Sequence, residues 1–183
     1  MLDKWSGHFT RDCKTEAMRI NYLNPFVNSV VQIIQSQLYE KPQRGKIFLR
    51  TKYPYRTQQV AIIVGITGAV LGQVVLSLSR QTALCVAARM MMEDELTAFD
   101  EYAHSALSEM ANMITANATI GLADAGYHCD ITPPSLIVGD DVEITPRDTI
   151  KTIVIPLNLS MGSLEVNLSL QEAADGVQGL SSN

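Results

Sequence analysis

An uncharged stretch from Thr57 to Ser79 constrains the fold of this 183-residue chain more than any other feature. Its 23 residues are enough to cross a bilayer as one helix. Three features oppose that interpretation. Gly65 and Gly68 interrupt the stretch as a turn would, its end alternates leucine with serine, and it contains the glutamines Gln58, Gln59 and Gln73. We therefore predict two adjacent buried strands and no membrane insertion.

Length, charge and cysteine content favour a single globular domain and oppose several other classes of protein. A chain of this length with 46% apolar residues can bury the core of one domain. The net charge of -5 opposes general binding to nucleic acid. The cysteines, Cys13, Cys85 and Cys129, are too few and too scattered for a disulfide framework or a zinc site. With charges in the segment from Met1 to Glu16 where a signal peptide would be apolar, we expect a cytoplasmic protein.

The pattern along the chain predicts an α+β fold, an antiparallel sheet with two long helices packed on one face. The first helix is expected to begin at Asn24-Pro25, with the asparagine as cap and the proline at the first helical position, and to end near Leu38. The other helices are predicted over 81–92 and 100–125, and the strands over 46–53, 59–66, 70–79, 136–138, 150–160 and 163–171. We expect one domain over residues 18–171, a flexible extension over 1–17 and a flexible tail over 172–183.

The helix predicted over 100–125 has an unusual outer face. Its apolar side chains fall on one side, as helical periodicity requires for packing against a core. The opposite side has no lysine or arginine and consists mainly of small residues: Ser105, Ser108, Glu109, Asn112, Ala116 and Thr119. Such a low, flat face would let another protein approach closely.

Glu109 and Asn112 are three residues apart, so they are neighbours on that face. By spacing alone, an incidental exposed pair is the more common explanation. The surrounding charge adds a second indication, since no lysine or arginine lies between Arg89 and Arg147 while eleven acidic residues do. A partner that docks here should offer positive charge, although a merely solubilising surface explains the same count.

Other candidate groups have ordinary structural explanations. His104 points away from Glu109 around the helix, and Asn117 falls at the edge of the core stripe. The three consecutive residues His128-Cys129-Asp130 cannot all face one metal ion from a strand, and we predict no metal site. The strand face with Lys46, Arg50 and Lys52 lacks the stacking pair of a nucleic-acid platform and is expected to be a solvated surface.

In several ordered segments the chain resembles the CheC/CheX/FliY chemotaxis phosphatases, most closely the CheX branch. The resemblance covers about residues 18–170. Its segments are Met18-Arg-Ile-Asn-Tyr-Leu-Asn-Pro-Phe26, Val64-Gly-Ile-Thr-Gly68 with Gly72, Glu109-Met-Ala-Asn112-Met-Ile-Thr-Ala-Asn117-Ala118, and Thr132-Pro-Pro134 with Ile137 and Gly139. Together these segments are far more specific than the spacing of Glu109 and Asn112.

The resemblance implies a phosphatase that hydrolyses the aspartyl phosphate of a CheY-type response regulator. Glu109 would pair with the regulator's active-site lysine, and Asn112 would position the attacking water. The regulator would supply Mg²⁺, so no cofactor is expected on this chain. A homodimer is implied as well. A non-catalytic regulator-binding adaptor, or a flagellar-switch module on the same fold, is the alternative.

Two differences from the family pattern bear on the site. Family members commonly have glycine at the position of Ala116, whose methyl group could tighten or obstruct docking. The CheC branch has two sites of this kind, whereas here Asn28 is preceded by Pro25 at the position of the required glutamate. One site is therefore expected, as in the CheX branch.

Overall fold

In the computed structural model, which describes residues 13–146 and 150–173, the uncharged stretch forms two antiparallel strands, as predicted. They are β4 (Val60–Gly68) and β5 (Val70–Leu78). The connection is tight, and Gly68 has a φ of 106°, a left-handed conformation that glycine adopts without strain. The described helices include none long and apolar enough to cross a membrane.

This hairpin lies within an eight-stranded antiparallel sheet. Six further strands belong to this sheet: β1 (Gln43–Arg44), β2 (Phe48–Arg50), β6 (Cys129–Ile131), β7 (Ser135–Val138), β9 (Thr152–Leu159) and β10 (Gly162–Glu172). Two short strands, β3 (Tyr55–Arg56) and β8 (Glu143–Ile144), lie outside it. The order is β1-β9-β10-β5-β4-β6, with β2 also paired to β9 and β7 also paired to β4. A separate small sheet joins β3 to β8.

Three helices complete the fold: α1 (Cys13–Leu38), α2 (Arg80–Met91) and α3 (Glu101–Asp124). All three contribute buried side chains to one large core with alternate residues of β4, β5, β9 and β10. The predicted α+β class, with helices on one face of an antiparallel sheet, is confirmed. The other face carries a smaller cluster formed by Tyr55, Ala61, Val75 and Ile144, which β3 and β8 help to cover.

The helix α3, which carries the proposed site, has the predicted extent. Asp100 caps its start, with one carboxylate oxygen accepting hydrogen bonds from the backbone N–H groups of Tyr102 and Ala103. Gly126, with a φ of 91°, follows its end. The apolar stripe is buried, including Leu107, Met110 and Ile114, so the opposite face is directed away from the core.

The predicted start of α1 is wrong. The helix begins at Cys13 and passes through Pro25 instead of beginning there. A proline inside a helix loses one backbone hydrogen bond and costs about 3 kcal/mol. The packing of α1 against α3 offsets this cost. The two helices approach closely at Pro25, because a side-chain carbon on Gly121 of α3 would come within 3.1 Å of the Pro25 ring.

The predicted domain limits fall near the ends of the described chain. The limit between residues 17 and 18 lies within α1, and residues 1–12 of the predicted extension lie outside the described residues. At the other end, β10 continues to Glu172, and the N–H of Ala173 donates to the carbonyl oxygen of Ala69. The rest of the predicted tail, 174–183, also lies outside the described residues.

Candidate active site

The outer side of α3 borders an open groove with a volume of about 540 Å³. Four of the six predicted site residues line it: Ser105, Ser108, Glu109 and Asn112. The opposite wall is formed by Ile131, the last residue of β6, and by the segment Thr132–Pro134 between β6 and β7. Glu109 is exposed and Asn112 is half-buried. The structure therefore places both predicted catalytic residues in one groove that is open to a partner protein.

The opposite wall exists because one edge of the sheet is interrupted. Both β6 and β7 pair with β4, at its two ends. Between them, Pro133 and Pro134 have no backbone N–H to donate and cannot continue the pairing. Thr132 remains attached to the sheet: its N–H donates to the carbonyl oxygen of Gly65 at 3.0 Å, and its hydroxyl accepts from the Gly65 N–H at 2.9 Å.

The side chains of Glu109 and Asn112 are available for a partner. Within the described residues, neither side chain makes a hydrogen bond or an ion pair with the rest of the protein. Glu109 is also the one charged residue among the described residues that line the groove. The carboxylate can accept hydrogen bonds from a cation, and the amide of Asn112 can both donate and accept. Together they can recognise a charged group and orient a water molecule beside it.

Ala116 and Thr119 are further along α3 and do not line this groove. Both are half-buried. The hydroxyl of Thr119 donates to the backbone carbonyl of Ala116 at 2.7 Å, so it is satisfied within the helix. The predicted docking role of these two residues requires a partner that extends beyond the groove along the helix.

The sequence did not identify the wall opposite the helix as part of the site. From the sequence, Thr132, Pro133 and Pro134 are only one segment of the family resemblance. Their position beside Asn112 depends on the pairing of β6 and β7 with β4, which is not visible in the local sequence. The two consecutive prolines were the available signal, because they exclude both helix and strand.

Among the other candidate residues, His104 and Asn117 have structural roles as expected, whereas the Arg50 side chain is largely buried and not solvated as predicted. His104 is half-buried, with its ring edge-on to Phe99 at 4.8 Å, and does not line the groove. Asn117 donates to the side-chain oxygen of Gln32 at 3.2 Å and so links α3 to α1. Arg50 forms an ion pair with Glu165 at 3.4 Å, and its guanidinium lies 4.3 Å from the centre of the Tyr55 ring.

Metal binding by the described part of this chain has no support. No group of three or more histidine, cysteine or acidic side chains there could hold an ion. Cys129 packs against the core, and burial raises the pKa of its thiol. This thiol is therefore less ready to bind a metal as a thiolate.

Comparison with known proteins identifies the family. The family model described as chemotaxis phosphatase CheX matches residues 60–158, which are 99 of the 183 residues. A Thermotoga maritima protein named CheY-P phosphatase CheX is 31% identical over 156 residues, 84% of this chain and 98% of that protein.

Solved structures agree with this assignment. A chain of the CheX–CheY–BeF3–Mg²⁺ complex from Borrelia burgdorferi is 28% identical with a TM-score of 0.71, and the match covers 82% of this chain and 98% of that one. A chemotaxis protein CheX from Desulfovibrio desulfuricans has the same fold, with 24% identity, a TM-score of 0.74 and coverage of 83% and 99%. The matched segment includes α3 and both walls of the groove, and the chain belongs to the CheX family of chemotaxis phosphatases.

Proposed function

We propose that this protein hydrolyses the aspartyl phosphate of a phosphorylated CheY-type response regulator and so ends a chemotaxis or other two-component signal. The main observation is the pair of exposed Glu109 and half-buried Asn112, without a hydrogen-bond or ion-pair partner among the described residues, lining an open groove in a member of this family. The Thermotoga maritima relative is named as a phosphatase of phosphorylated CheY, which supports the same substrate class.

The proposed division of roles follows from the chemistry of the two side chains. Glu109 accepts hydrogen bonds from the active-site lysine of the regulator and orients the complex, because a carboxylate pairs with an ammonium group. Asn112 enters the phosphoryl pocket, where its amide holds a water molecule in line with the bond to be broken. The water oxygen attacks phosphorus, the bond between phosphorus and the aspartyl oxygen breaks, and inorganic phosphate and the free aspartate result.

An asparagine suits this reaction because phosphoryl transfer depends on position and charge more than on covalent help. The Mg²⁺ that neutralises charge on the phosphoryl group belongs to the regulator in this proposal. The Borrelia burgdorferi complex, which contains CheX, CheY, BeF3 and Mg²⁺, supports that arrangement. This chain then contributes only the orientation of the water and of the regulator.

Docking is proposed along the small-residue face of α3. Ser105 and Ser108 lie beside the catalytic pair and leave room for the partner's surface. The hydroxyl of Ser105 donates to the carbonyl oxygen of Glu101, so docking does not have to break a bond to another element. Ala116 and Thr119 extend this face beyond the groove.

We also propose that the protein works in the cytoplasm and as a homodimer. The support for the first is the cysteine content, which is too low and too scattered for a disulfide framework. The support for the second is the family resemblance over residues 18–170. Light scattering at micromolar concentration tests the dimer, and a monomeric mass would contradict it.

The test of the proposed activity is phosphate release from a phosphorylated regulator with catalytic amounts of this protein. Asn112→Ala should lower the rate by at least about 100-fold, the scale seen when one positioning donor is removed. Binding to the regulator should remain. Asn117→Ala is the matched control, because Asn117 is on the same helix but contacts Gln32, and it should retain activity. Unchanged activity of Asn112→Ala would overturn the mechanism, and binding of the wild type without faster phosphate loss would indicate the adaptor instead.

A further inference from the structure

We propose that the proline loop, Thr132–Pro134, is a second contact surface for the phosphorylated regulator; this inference rests on the proposed function. The loop forms the wall of the groove opposite Glu109 and Asn112. Because Asn112 is half-buried and lines the groove, a partner that surrounds its amide must enter between α3 and the loop. Every complex in which the regulator surrounds the Asn112 amide therefore also contains a contact between the regulator and the proline loop.

The proline loop is held rigidly before any partner arrives. Thr132 makes two hydrogen bonds with Gly65 of β4, at 2.9 and 3.0 Å. The flanking strands β6 and β7 are themselves paired with β4. The rings of Pro133 and Pro134 fix one backbone angle each. A surface ordered in advance loses little conformational entropy on binding, so contacts with it contribute fully to affinity.

Gly65 makes this attachment possible. A side-chain carbon at Gly65 would approach both the methyl group and the hydroxyl of Thr132 at 3.0 Å, closer than such atoms normally pack. The absence of a side chain therefore lets Thr132 lie against β4.

The chemistry of the loop matches a protein partner with local positive charge. Its three residues are uncharged, and Pro133 presents an exposed apolar ring. Glu109 is then the one charged group among the described residues lining the groove. The neutral wall offers no cation to pair with the Glu109 carboxylate, which stays available to a lysine of the partner. The lysine beside the phosphoryl group of a response regulator is a cation of this kind.

The test compares two matched substitutions by measuring the affinity for a beryllofluoride-activated regulator with Mg²⁺. Pro133→Lys removes the apolar ring and places a positive charge in the groove wall, where it repels the lysine of the regulator. It should raise Kd about tenfold or more, a typical loss at a central contact. Ile137→Lys is the control. Ile137 is also partly exposed and on the same edge of the sheet, but it does not line the groove. Its Kd should stay within about twofold of the wild type. Equal affinity of Pro133→Lys and wild type overturns the inference.

A second pair of variants tests the attachment of the loop without placing a charge in the groove. Thr132→Val removes the acceptor for the Gly65 N–H and should raise Kd, whereas Thr132→Ser keeps the hydroxyl and should restore affinity close to that of the wild type. Circular dichroism confirms that each variant is folded. If the wild type binds no regulator, the proposed function fails and this inference with it. If the wild type binds and Asn112→Ala is inactive, while the loop variants bind normally, only this inference fails.

Discussion

The hydroxyl of Ser29 donates a 2.6 Å hydrogen bond to the backbone carbonyl oxygen of Ile114, across the interface between α1 and α3. The serine is buried, and the carbonyl is two residues beyond Asn112. A further hydrogen bond between the same helices joins Asn117 to Gln32. The outer face of α3 is thus supported from behind by polar contacts as well as by the apolar core.

Ser29→Ala should destabilise the protein by about 1 kcal/mol, the usual net value of one hydrogen bond. For a domain of this size, this loss corresponds to a decrease in Tm of about 2–4 °C, measured by thermal unfolding. Phosphatase activity should be unchanged, because α3 keeps its own backbone hydrogen bonds. Ser36→Ala is the control: Ser36 is exposed, and its hydrogen bonds among the described residues stay within its own helix, with the carbonyl oxygen of Ile33 and the amide of Gln37. An equal loss of stability in both variants would contradict the role of Ser29.

Glu109→Gln should weaken binding to the activated regulator by about tenfold, because a neutral amide cannot form the ion pair with the lysine. The salt dependence of binding should decrease at the same time. Calorimetric titration at two salt concentrations measures both effects. Glu101→Gln removes an exposed carboxylate in the first turn of the same helix that does not line the groove. If it weakens binding as strongly, general acidity and not Glu109 is responsible.

Ala116→Gly tests the difference from the family pattern. Ala116 does not line the groove, so removal of its methyl group should change the rate of dephosphorylation by less than about threefold. The same change should lower the free energy of unfolding by about 1 kcal/mol, because glycine is unfavourable inside a helix. Steady-state kinetics and chemical denaturation measure the two quantities. A large gain in activity would mean that the methyl group of Ala116 obstructs docking of the regulator along α3.

Tyr55→Phe should alter the pH dependence of stability. Burial raises the pKa of the Tyr55 hydroxyl from 10.0 to about 12, with the nearby Arg50 guanidinium opposing this shift. Because the pKa is higher in the folded protein than in the unfolded chain, the neutral tyrosine favours folding below pH 10. This contribution should be lost as the pH rises from 10 to 12, by up to about 2 kcal/mol.

The phenylalanine variant should show a smaller loss of stability over that range. At neutral pH it should be at least as stable as the wild type, because the buried Tyr55 hydroxyl has no hydrogen-bond partner among the described residues. Urea denaturation at several pH values measures both effects. Tyr102→Phe, at an exposed position on α3, is the control and should leave the pH profile unchanged. Identical profiles for Tyr55→Phe and the wild type would contradict the prediction.

Elements with strong periodicity could be predicted from the sequence, whereas features that depend on distant contacts could not. The hairpin of β4 and β5 and the extent of α3 follow from local apolar patterns and caps. The passage of α1 through Pro25 could not be predicted, because it depends on packing against Gly121. The two-residue strands β1, β3 and β8 were also missed, since each is defined by its pairing with a distant strand.

The same distinction applies to the candidate site. The pair Glu109 and Asn112 is local to one helix turn, so sequence spacing was enough to find it. The opposite wall is formed by Thr132–Pro134, about 20 residues later in the chain, and reaches the groove only through its attachment to Gly65. Half of the groove therefore required the sheet pairing to be known.

The position of the uncharged hairpin has a consequence for how the protein reaches its native state. β5 pairs along its whole length with β10, whose residues follow it by roughly 90 positions. During synthesis, β4 and β5 leave the ribosome well before that partner exists. Contacts this distant form slowly, and an uncharged apolar hairpin exposed in the meantime favours aggregation. Growth at low temperature, or more chaperone, should therefore raise the soluble yield more than a change of buffer.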